Sequence, residues 1–292
     1  PIYGSDAIAG TVNIILKKDF DGLEIKAQTG ISERGDAPEY RVNGIWGMNF
    51  AGGRGNITVS GEWNRATGLT TQDRFLTSAE GPFFTTDPDN PSRQKLYYNQ
   101  RYNVFTSSGV PLAFDSIPEF GGIFDGDGNV LTFNEAGRLT PLDFGTRTGS
   151  LIESVGGNGF ALSDFGNLAT NTERYLGNAL ANFEISDAVR WFGEAWYAHS
   201  KGTNLRAQPV YNTALFGPGT SPDGNLVLHL ENPFLDDADR AVITDNLAAY
   251  GLLGGIPIDF EGDGVPDVVT DPNTFLMSRA NVDRASGRAS TT

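Results

Sequence analysis

The sequence predicts an all-β protein, an antiparallel transmembrane β-barrel fragment of about six strands joined by long extracellular loops. Three observations favour this fold class. Several segments of about 9 to 11 residues alternate apolar and polar side chains with a period of two, as barrel strands that cross a membrane do. Aromatic residues stand near the ends of these segments, and the connections between the segments are alternately short and long.

Composition narrows the function classes. The 292 residues include 36 acidic and 21 basic side chains, and the formal net charge of −15 argues against a nucleic-acid partner, which needs a positive surface. The absence of cysteine excludes disulfides and thiolate metal sites, and it is consistent with an exported bacterial protein. The sequence contains no run of about 18 apolar residues, so it predicts no transmembrane helix. Residue 1 is Pro, and the opening residues do not have the pattern of a signal sequence. We therefore expect the chain to be part of a longer precursor.

The first three predicted strands span residues 22–32, 40–51 and 56–65. Each has one apolar parity, and the other parity carries charged, amide or hydroxyl side chains, so a helical period of 3.6 is disfavoured. The apolar parity consists of Leu23, Ile25, Ala27, Tyr40, Val42, Trp46, Met48, Phe50, Ile57, Val59 and Trp63.

Two further strands are predicted at residues 174–186 and 189–200, and a sixth is expected to begin near Met277. In the fourth and fifth strands the polar parity is interrupted by Leu176, Leu180, Phe192 and Trp196. Such interruptions are compatible with a barrel, because the interior of a barrel also buries apolar groups.

Aromatic positions and connection lengths give the membrane interpretation independent support. The rings near strand ends are Tyr40, Phe50, Trp63, Tyr175, Phe183, Trp191 and Tyr197. Outer-membrane barrels carry such girdles at both interfaces, whereas a soluble sandwich has no reason to place rings there. Residues 52–55 and 187–188 are short connections, while residues 66–172 and 202–275 are long ones. If the first strand rises from the periplasmic side, every short connection is periplasmic and every long one is extracellular.

The opening segment, PIYGSDAIAGTVNIILKK, carries the most specific motif of the chain. It closely resembles the end of the plug domain of TonB-dependent outer-membrane receptors, whose pattern there is close to YGSDAIAGVVNIILKK. Thr11 stands where that family often has Val. The motif positions taken as characteristic are Tyr3, Gly4, Ser5, Asp6, Ala9, Gly10 and Asn13. The resemblance implies that residues 1–21 are the C-terminal end of a plug domain with its linker, and that residues 22–292 are the N-terminal part of the barrel.

This resemblance also implies a function. Receptors of this family lie in the outer membrane of Gram-negative bacteria, surrounded by outer-membrane lipid, and import a scarce nutrient such as a siderophore, cobalamin or a glycan. Energy comes through the TonB–ExbB–ExbD complex, which we expect to be contacted through a segment preceding residue 1. The long loops help to gather the small-molecule or glycan ligand. Ligand binding is coupled to plug rearrangement without a bond being made or broken, so the chain is not expected to be an enzyme.

One acidic turn, DFEGDGVPD at residues 259–267, has the oxygen spacing of a calcium loop. The candidate ligands are Asp259, Glu261, Asp263 and Asp267, with Gly264 at the sharp turn. Thr270 stands where an EF-hand loop carries its bidentate Glu, so that loop is incomplete. In a second acidic turn, at residues 125–130, Val130 occupies the position that needs Gly, and a hairpin turn is the better interpretation.

Other chemistry finds little support in the sequence. The two histidines belong to no HExxH motif, and neither a GxxxxGKS/T loop nor a GxSxG elbow occurs. Three alternatives stay open: a passive porin or adhesin barrel, a soluble calcium-binding β-sandwich, and a secreted glycan-active enzyme. The loop aromatics that suit sugars or catecholates are Phe83, Phe84, Tyr97, Tyr98 and Tyr102.

Overall fold

The structure is a computed structural model that describes residues 16–205, 210–213, 224–259, 263–281 and 287–291. The chain divides into two compact units. The sheet unit comprises Pro1–Gly68, Ala169–Asn204 and Ala289–Thr292, and the loop unit comprises Leu69–Leu168 and Leu205–Arg288. Among the described residues, no helix is both long and apolar enough to span a membrane.

Strands account for most of the regular structure, so the all-β prediction is confirmed. In chain order the strands are β1 (Gly22–Gly30), β2 (Glu39–Phe50), β3 (Gly55–Ala66), β4 (Leu69–Thr70), β5 (Pro82–Asp87), β6 (Asn90–Tyr98), β7 (Gln100–Tyr102), β8 (Val110–Leu112), β9 (Leu131–Phe133), β10 (Leu139–Pro141), β11 (Thr146–Arg147), β12 (Glu153–Val155), β13 (Asn167–Ala169), β14 (Asn171–Ser186), β15 (Val189–Leu205), β16 (Val210–Tyr211), β17 (Leu226–His229), β18 (Pro257–Ile258), β19 (Val268–Val269), β20 (Thr274–Ala280) and β21 (Gly287–Thr291). Within the described residues the α-helices are α1 (Pro118–Gly121) and α2 (Asp237–Ala249), and single 3₁₀ turns occur at Ala51–Gly53, Thr71–Asp73 and Leu162–Phe165.

The sheet unit is a six-stranded sheet with the order β1-β2-β3-β14-β15-β21. The pairs β1–β2, β2–β3, β3–β14 and β14–β15 are antiparallel. Strands β1, β2, β3, β14 and β15 are those that the alternation predicts. The turn between β2 and β3 needs a left-handed backbone, which Gly52 and Gly53 adopt with φ of 69° and 89°.

The loop unit contains its own hydrophobic core. Its main cluster joins Leu112 and Ile123, from the segment between β3 and β14, to Leu247 and Phe275, from the segment after β15. Helix α2 contributes Leu247 to this core, and Asp236 caps its N-terminus by accepting a hydrogen bond of 2.9 Å from the Ala238 N–H. The described parts of the two long connections therefore fold together as one unit.

The expectation of a sixth sheet strand near Met277 is wrong. A strand does lie there, but β20 pairs with β8, β16 and β17 inside the loop unit, and the sixth strand of the sheet is β21. The physical reason is visible in the sequence of β20, where Phe275, Leu276 and Met277 are consecutive and all buried. A strand buried on both faces does not alternate, and consecutive apolar residues indicate this kind of strand.

Candidate functional site

One face of the sheet is apolar and exposed. We call it the apolar face, and its members are Leu23, Ile25, Ala27, Tyr40, Val42, Trp46, Met48, Phe50, Ile57, Val59, Trp63, Tyr175, Ala179, Ala181, Phe183, Trp191, Ala195 and Tyr197. Residues opposite one another in paired strands share a face, so these side chains form continuous rows across the sheet. Leu23 is 66% exposed, and Val42, Trp46 and Val59 are each 43% exposed. Contiguous apolar exposure on this scale marks an interaction surface.

Two rows containing aromatic side chains bound the apolar face. Near the long connections, Trp63 lies opposite Tyr175, whose ring centroid is 6.2 Å from that of His199. Near the short turns, Phe50 stacks on Phe183 with a centroid distance of 5.7 Å. A rise of about 3.3 Å per residue separates these rows by about 26 Å along the strand.

Gly55 makes the turn-end row possible. It lies between Phe50 and Phe183 in register, and a Cβ at this position would stand 2.3 Å from the Phe50 ring. The ring of Phe50 therefore covers the glycine and reaches Phe183 on the next strand but one. Arg54 adds its guanidinium at 5.7 Å from the centroid of the Phe183 ring.

The opposite face is polar and internally bonded. Arg41 pairs with Glu62 at 2.6 Å, and the Ser60 hydroxyl donates to the Asn178 amide oxygen at 2.6 Å. The predicted interruptions are also present, since the sheet register places Leu176, Phe192 and Trp196 on this face with their side chains exposed. A concave region of about 390 Å³ lies here, lined by Lys17, Glu24, Lys26, Glu62, Asn178 and Trp196.

Residues 16–21, which we call the strap, lie across the polar face. Backbone groups of Phe20 fix its centre: the carbonyl accepts a hydrogen bond of 2.9 Å from the Asn56 amide, and the N–H donates to the Thr58 hydroxyl at 3.3 Å. The strap lies directly on the sheet at Gly47, where a Cβ would stand 2.2 Å from the Phe20 oxygen. Sequence reasoning missed this contact, although a glycine inside a strand is a known signal of close backbone approach.

Polar side chains tie the strap to the remaining strands. Lys17 pairs with Glu24 of β1 at 3.3 Å, and Lys18 pairs with Glu194 of β15 at 3.3 Å. The amide groups of Asn49 in β2 and Asn182 in β14 donate to the strap carboxylates of Asp21 and Asp19 at 3.2 and 2.5 Å. Together with Asn56 and Thr58 of β3, these contacts join the strap to all of β1, β2, β3, β14 and β15.

The strap follows directly on the plug-like motif in sequence. The motif residues Tyr3, Gly4, Ser5, Asp6, Ala9, Gly10 and Asn13 lie outside the described residues. The assignment of these residues to a plug domain therefore stays a prediction. The structure shows that the strap, which follows them in sequence, is bonded to the polar face of the sheet.

The predicted calcium loop is described only in part. Glu261 lies outside the described residues. Asp259 accepts a hydrogen bond of 2.7 Å from the Gly264 N–H, and Asp263 accepts one of 2.8 Å from the Val265 N–H. Asp267 is exposed and donates its N–H to the Ile258 carbonyl at 2.9 Å. Within the described ranges, no group of three or more His, Cys, Asp and Glu side chains is placed to hold a metal ion, and the calcium site stays a prediction.

The second acidic turn forms the hairpin that its sequence favours. Phe124 and Val130 form a β-bridge that closes it. The Asp125 carboxylate accepts hydrogen bonds from the N–H groups of Asp127 and Asn129 at 2.9 and 2.8 Å. Hydrogen bonds from the Asn129 side chain and backbone lower the pKa of this carboxyl. Its bonds are those of a turn.

The loop aromatics fall into two groups. Tyr102 is half-buried and packs against the second core cluster of the loop unit, where its ring stacks on that of Phe105 with a centroid distance of 6.1 Å, and burial raises the pKa of its hydroxyl. The others lie on the β5–β6 hairpin, where Phe84 and Tyr98 are exposed and Phe75 stacks on Tyr98. On the other face of that hairpin, Phe83 contacts Tyr97 at 6.0 Å. Of the predicted loop aromatics, Phe84 and Tyr98 are therefore exposed, whereas Tyr102 is half-buried in the loop unit.

No protein-family model, curated protein or solved structure matches this chain.

Proposed function

We propose that this chain is part of a TonB-dependent receptor in the outer membrane of a Gram-negative bacterium. The receptor binds a scarce nutrient, such as a siderophore, cobalamin or a glycan, and imports it with energy supplied through TonB, ExbB and ExbD. One observation carries the proposal: the sheet has an apolar face bounded by aromatic rows, and its opposite face binds the strap that follows the plug-like motif.

The apolar face is suited to lipid for an energetic reason. Transfer of apolar surface out of water contributes about 25 cal/mol per Å². Trp46, Met48, Val59 and Leu23 remain more than 40% exposed in the sheet unit, so this contribution is not gained within the unit. Bilayer hydrocarbon supplies it, and the aromatic rows then lie where hydrocarbon meets the headgroup layers.

Two alternatives are less well supported. A soluble calcium-binding β-sandwich would cover the apolar face with a second sheet, and within the described part of the chain those side chains are exposed. A passive porin or adhesin fits the apolar face equally well, but it does not account for a strap bonded to five strands of the polar face. A strap bonded to the polar face is what a chain leading from a plug inside a barrel would form, and this supports the receptor over a passive porin.

In this proposal the strap connects ligand binding to transport. Its bonds are mostly single ion pairs and side-chain hydrogen bonds, so they can be exchanged for bonds to water when the plug rearranges. The loop unit, with exposed Phe84 and Tyr98, supplies an aromatic surface for collecting the ligand. No covalent chemistry is required of any residue.

The membrane part of the proposal is tested by spin labelling of the whole protein in lipid vesicles. Because this chain has no cysteine, Val59→Cys and Ser60→Cys each add one labelling site on opposite faces, and any cysteine elsewhere in the whole protein is first replaced by serine. We expect the label at position 59 to collide mainly with oxygen dissolved in lipid, and the label at 60 mainly with a water-soluble nickel complex. Equal collision with the nickel complex at both positions would contradict a lipid-facing surface.

The transport part needs a separate experiment in cells. Uptake of radiolabelled ferric siderophores, cobalamin and oligosaccharides is compared in otherwise identical strains with and without TonB. Uptake of one ligand class that is lost with TonB supports the receptor. Uptake that persists without TonB would identify a passive porin instead.

A further inference from the structure

A row of charged side chains lies just beyond the aromatic row at the long-connection end of the apolar face. Arg65 of β3 and Lys201 of β15 stand on either side of Glu173 of β14, in register with it. Both cations are exposed, and they occupy the same parity as Trp63 and Tyr175. This places two positive charges on the face that the proposed function assigns to lipid.

The carboxylate between the cations is bonded to the aromatic row. The Tyr175 hydroxyl donates to Glu173 Oε1 at 2.8 Å, and Trp63 Nε1 donates to the same oxygen at 3.2 Å. Within the described part of the chain, neither Arg65 nor Lys201 hydrogen-bonds to this carboxylate. The row therefore carries a net positive charge, and its cations are available to an external anion.

A shallow concavity of about 300 Å³ lies at the same place. It is lined by Arg65, Ala66, Asn171, Thr172, Glu173, Lys201 and Thr203. Arg65 lies two positions beyond Trp63, which is about 7 Å at the rise of a β-strand. The headgroup layer on each side of the hydrocarbon is about 5 to 7 Å thick, so the concavity lies at headgroup depth.

We propose that Arg65 and Lys201 bind the phosphate of an anionic lipid headgroup in the outer leaflet. The proposal rests on the proposed membrane location of the apolar face. An arginine guanidinium offers paired donors that match phosphate oxygens, and a lysine ammonium adds a compact charge. The lipid tail continues along the apolar face, next to Trp63. A lipid phosphate therefore satisfies both the charge and the position of the site, whereas a free phosphate uses only the charge.

The test uses the whole protein in bilayers of equimolar phosphatidylglycerol and phosphatidylcholine. After mild detergent extraction, mass spectrometry counts the lipids that remain bound to wild type and to Arg65→Gln/Lys201→Gln. We expect phosphatidylglycerol to be enriched on the wild type. Each lost cation should reduce the enrichment about fivefold, and both together about 25-fold. The matched control, Arg93→Gln/Lys95→Gln, changes the same charges on exposed side chains of the loop unit and should keep the wild-type enrichment.

Glu173→Gln gives a test in the opposite direction. It keeps an oxygen acceptor for Trp63 and Tyr175 but removes a negative charge, so phosphatidylglycerol enrichment should rise. Equal enrichment in wild type, the Arg65/Lys201 variant and Glu173→Gln would overturn the inference. Binding of inorganic phosphate to the wild type that is lost in the Arg65/Lys201 variant, together with no phosphatidylglycerol enrichment in bilayers, would identify free phosphate as the ligand and would also overturn it.

Different results would contradict the proposed function and the proposed lipid site. Flotation of the wild type with vesicles is measured first. A wild type that does not float with either lipid contradicts the proposed function, and the lipid site with it. A wild type that inserts but shows no lipid preference contradicts the lipid site alone.

Discussion

Arginine substitution at two depths of the apolar face tests whether this surface contacts lipid. Val42 and Val59 are the same residue type with the same exposure of 43%, on neighbouring strands of one face. Val59 lies in register with Trp46 and Ala179, midway between the two aromatic rows, whereas Val42 lies opposite Trp63 in the aromatic row near the long connections. The two positions differ mainly in depth.

The expected magnitudes follow from that depth. Arginine on the lipid face of a barrel costs about 2 to 4 kcal/mol at the midplane and about 0 to 1 kcal/mol near the interface. Val59→Arg should therefore lower the free energy of unfolding by about 2 to 3 kcal/mol more than Val42→Arg. If water covered this face, both substitutions would stay within about 0.5 kcal/mol, as is usual for exposed sites.

The assay is denaturant unfolding of the whole protein in phosphatidylcholine vesicles, followed by tryptophan fluorescence. A shift of the midpoint without a change of slope reports stability alone. A difference of about 2 to 3 kcal/mol corresponds to about 30- to 150-fold in the unfolding equilibrium. Equal and small effects at Val42 and Val59 would refute the assignment of this face to lipid.

Three further predictions concern the strap and the loop unit. Gly47→Ala would place a Cβ 2.2 Å from the Phe20 carbonyl, so it should release the strap and speed trypsin cleavage after the strap's lysines. The control Gly44→Ala, with its nearest backbone contact at 3.6 Å, should not, and equal cleavage would contradict the close approach. Burial raises the pKa of the Asp115 carboxyl in the folded protein. The charged carboxylate therefore destabilises the fold fully above the folded pKa, and this destabilisation is lost below the unfolded pKa of about 3.9. Wild type should therefore gain stability relative to Asp115→Asn as pH falls from 7 through that range, and a constant difference between their unfolding free energies would exclude this. Leu247→Ala should cost the loop unit about 2 to 5 kcal/mol in denaturant unfolding, because Leu247 is 0% exposed in its core. A loss under about 0.5 kcal/mol would show that the cluster is not a core.

The sheet strands could be predicted because their apolar side chains lie mainly on one face, so that apolar and polar residues alternate along each strand. In β2 the alternation of Tyr40, Val42, Trp46 and Met48 with polar residues fixes both the strand and its outward face. The short turn at Gly52 and Gly53 then fixes the neighbour of β2. For these strands, local pattern and tertiary environment agree.

The loop unit could not be predicted in the same way, because its core comes from residues far apart in sequence. Ile123 and Leu247 belong to one cluster, yet each stands in a segment rich in glycine and acidic residues. Short strands such as β8 and β20 are buried on both faces and show no alternation that would identify their partners. The strap is a similar case, since its central bonds come from the backbone of Phe20, on which sequence patterns carry no information.

The sheet edges add a requirement to the proposed membrane location. β1 and β21 stand at the two ends of the strand order, and the part of the chain that the structure describes contains no partner for their outer sides. In water, the N–H and C=O groups at such edges bond to solvent. In hydrocarbon each unpaired group costs several kcal/mol, and β1 alone spans Gly22–Gly30. The apolar face can therefore lie in a bilayer only if further strands pair with both edges. In the receptor that we propose, such further strands would complete a barrel around the polar face and the strap.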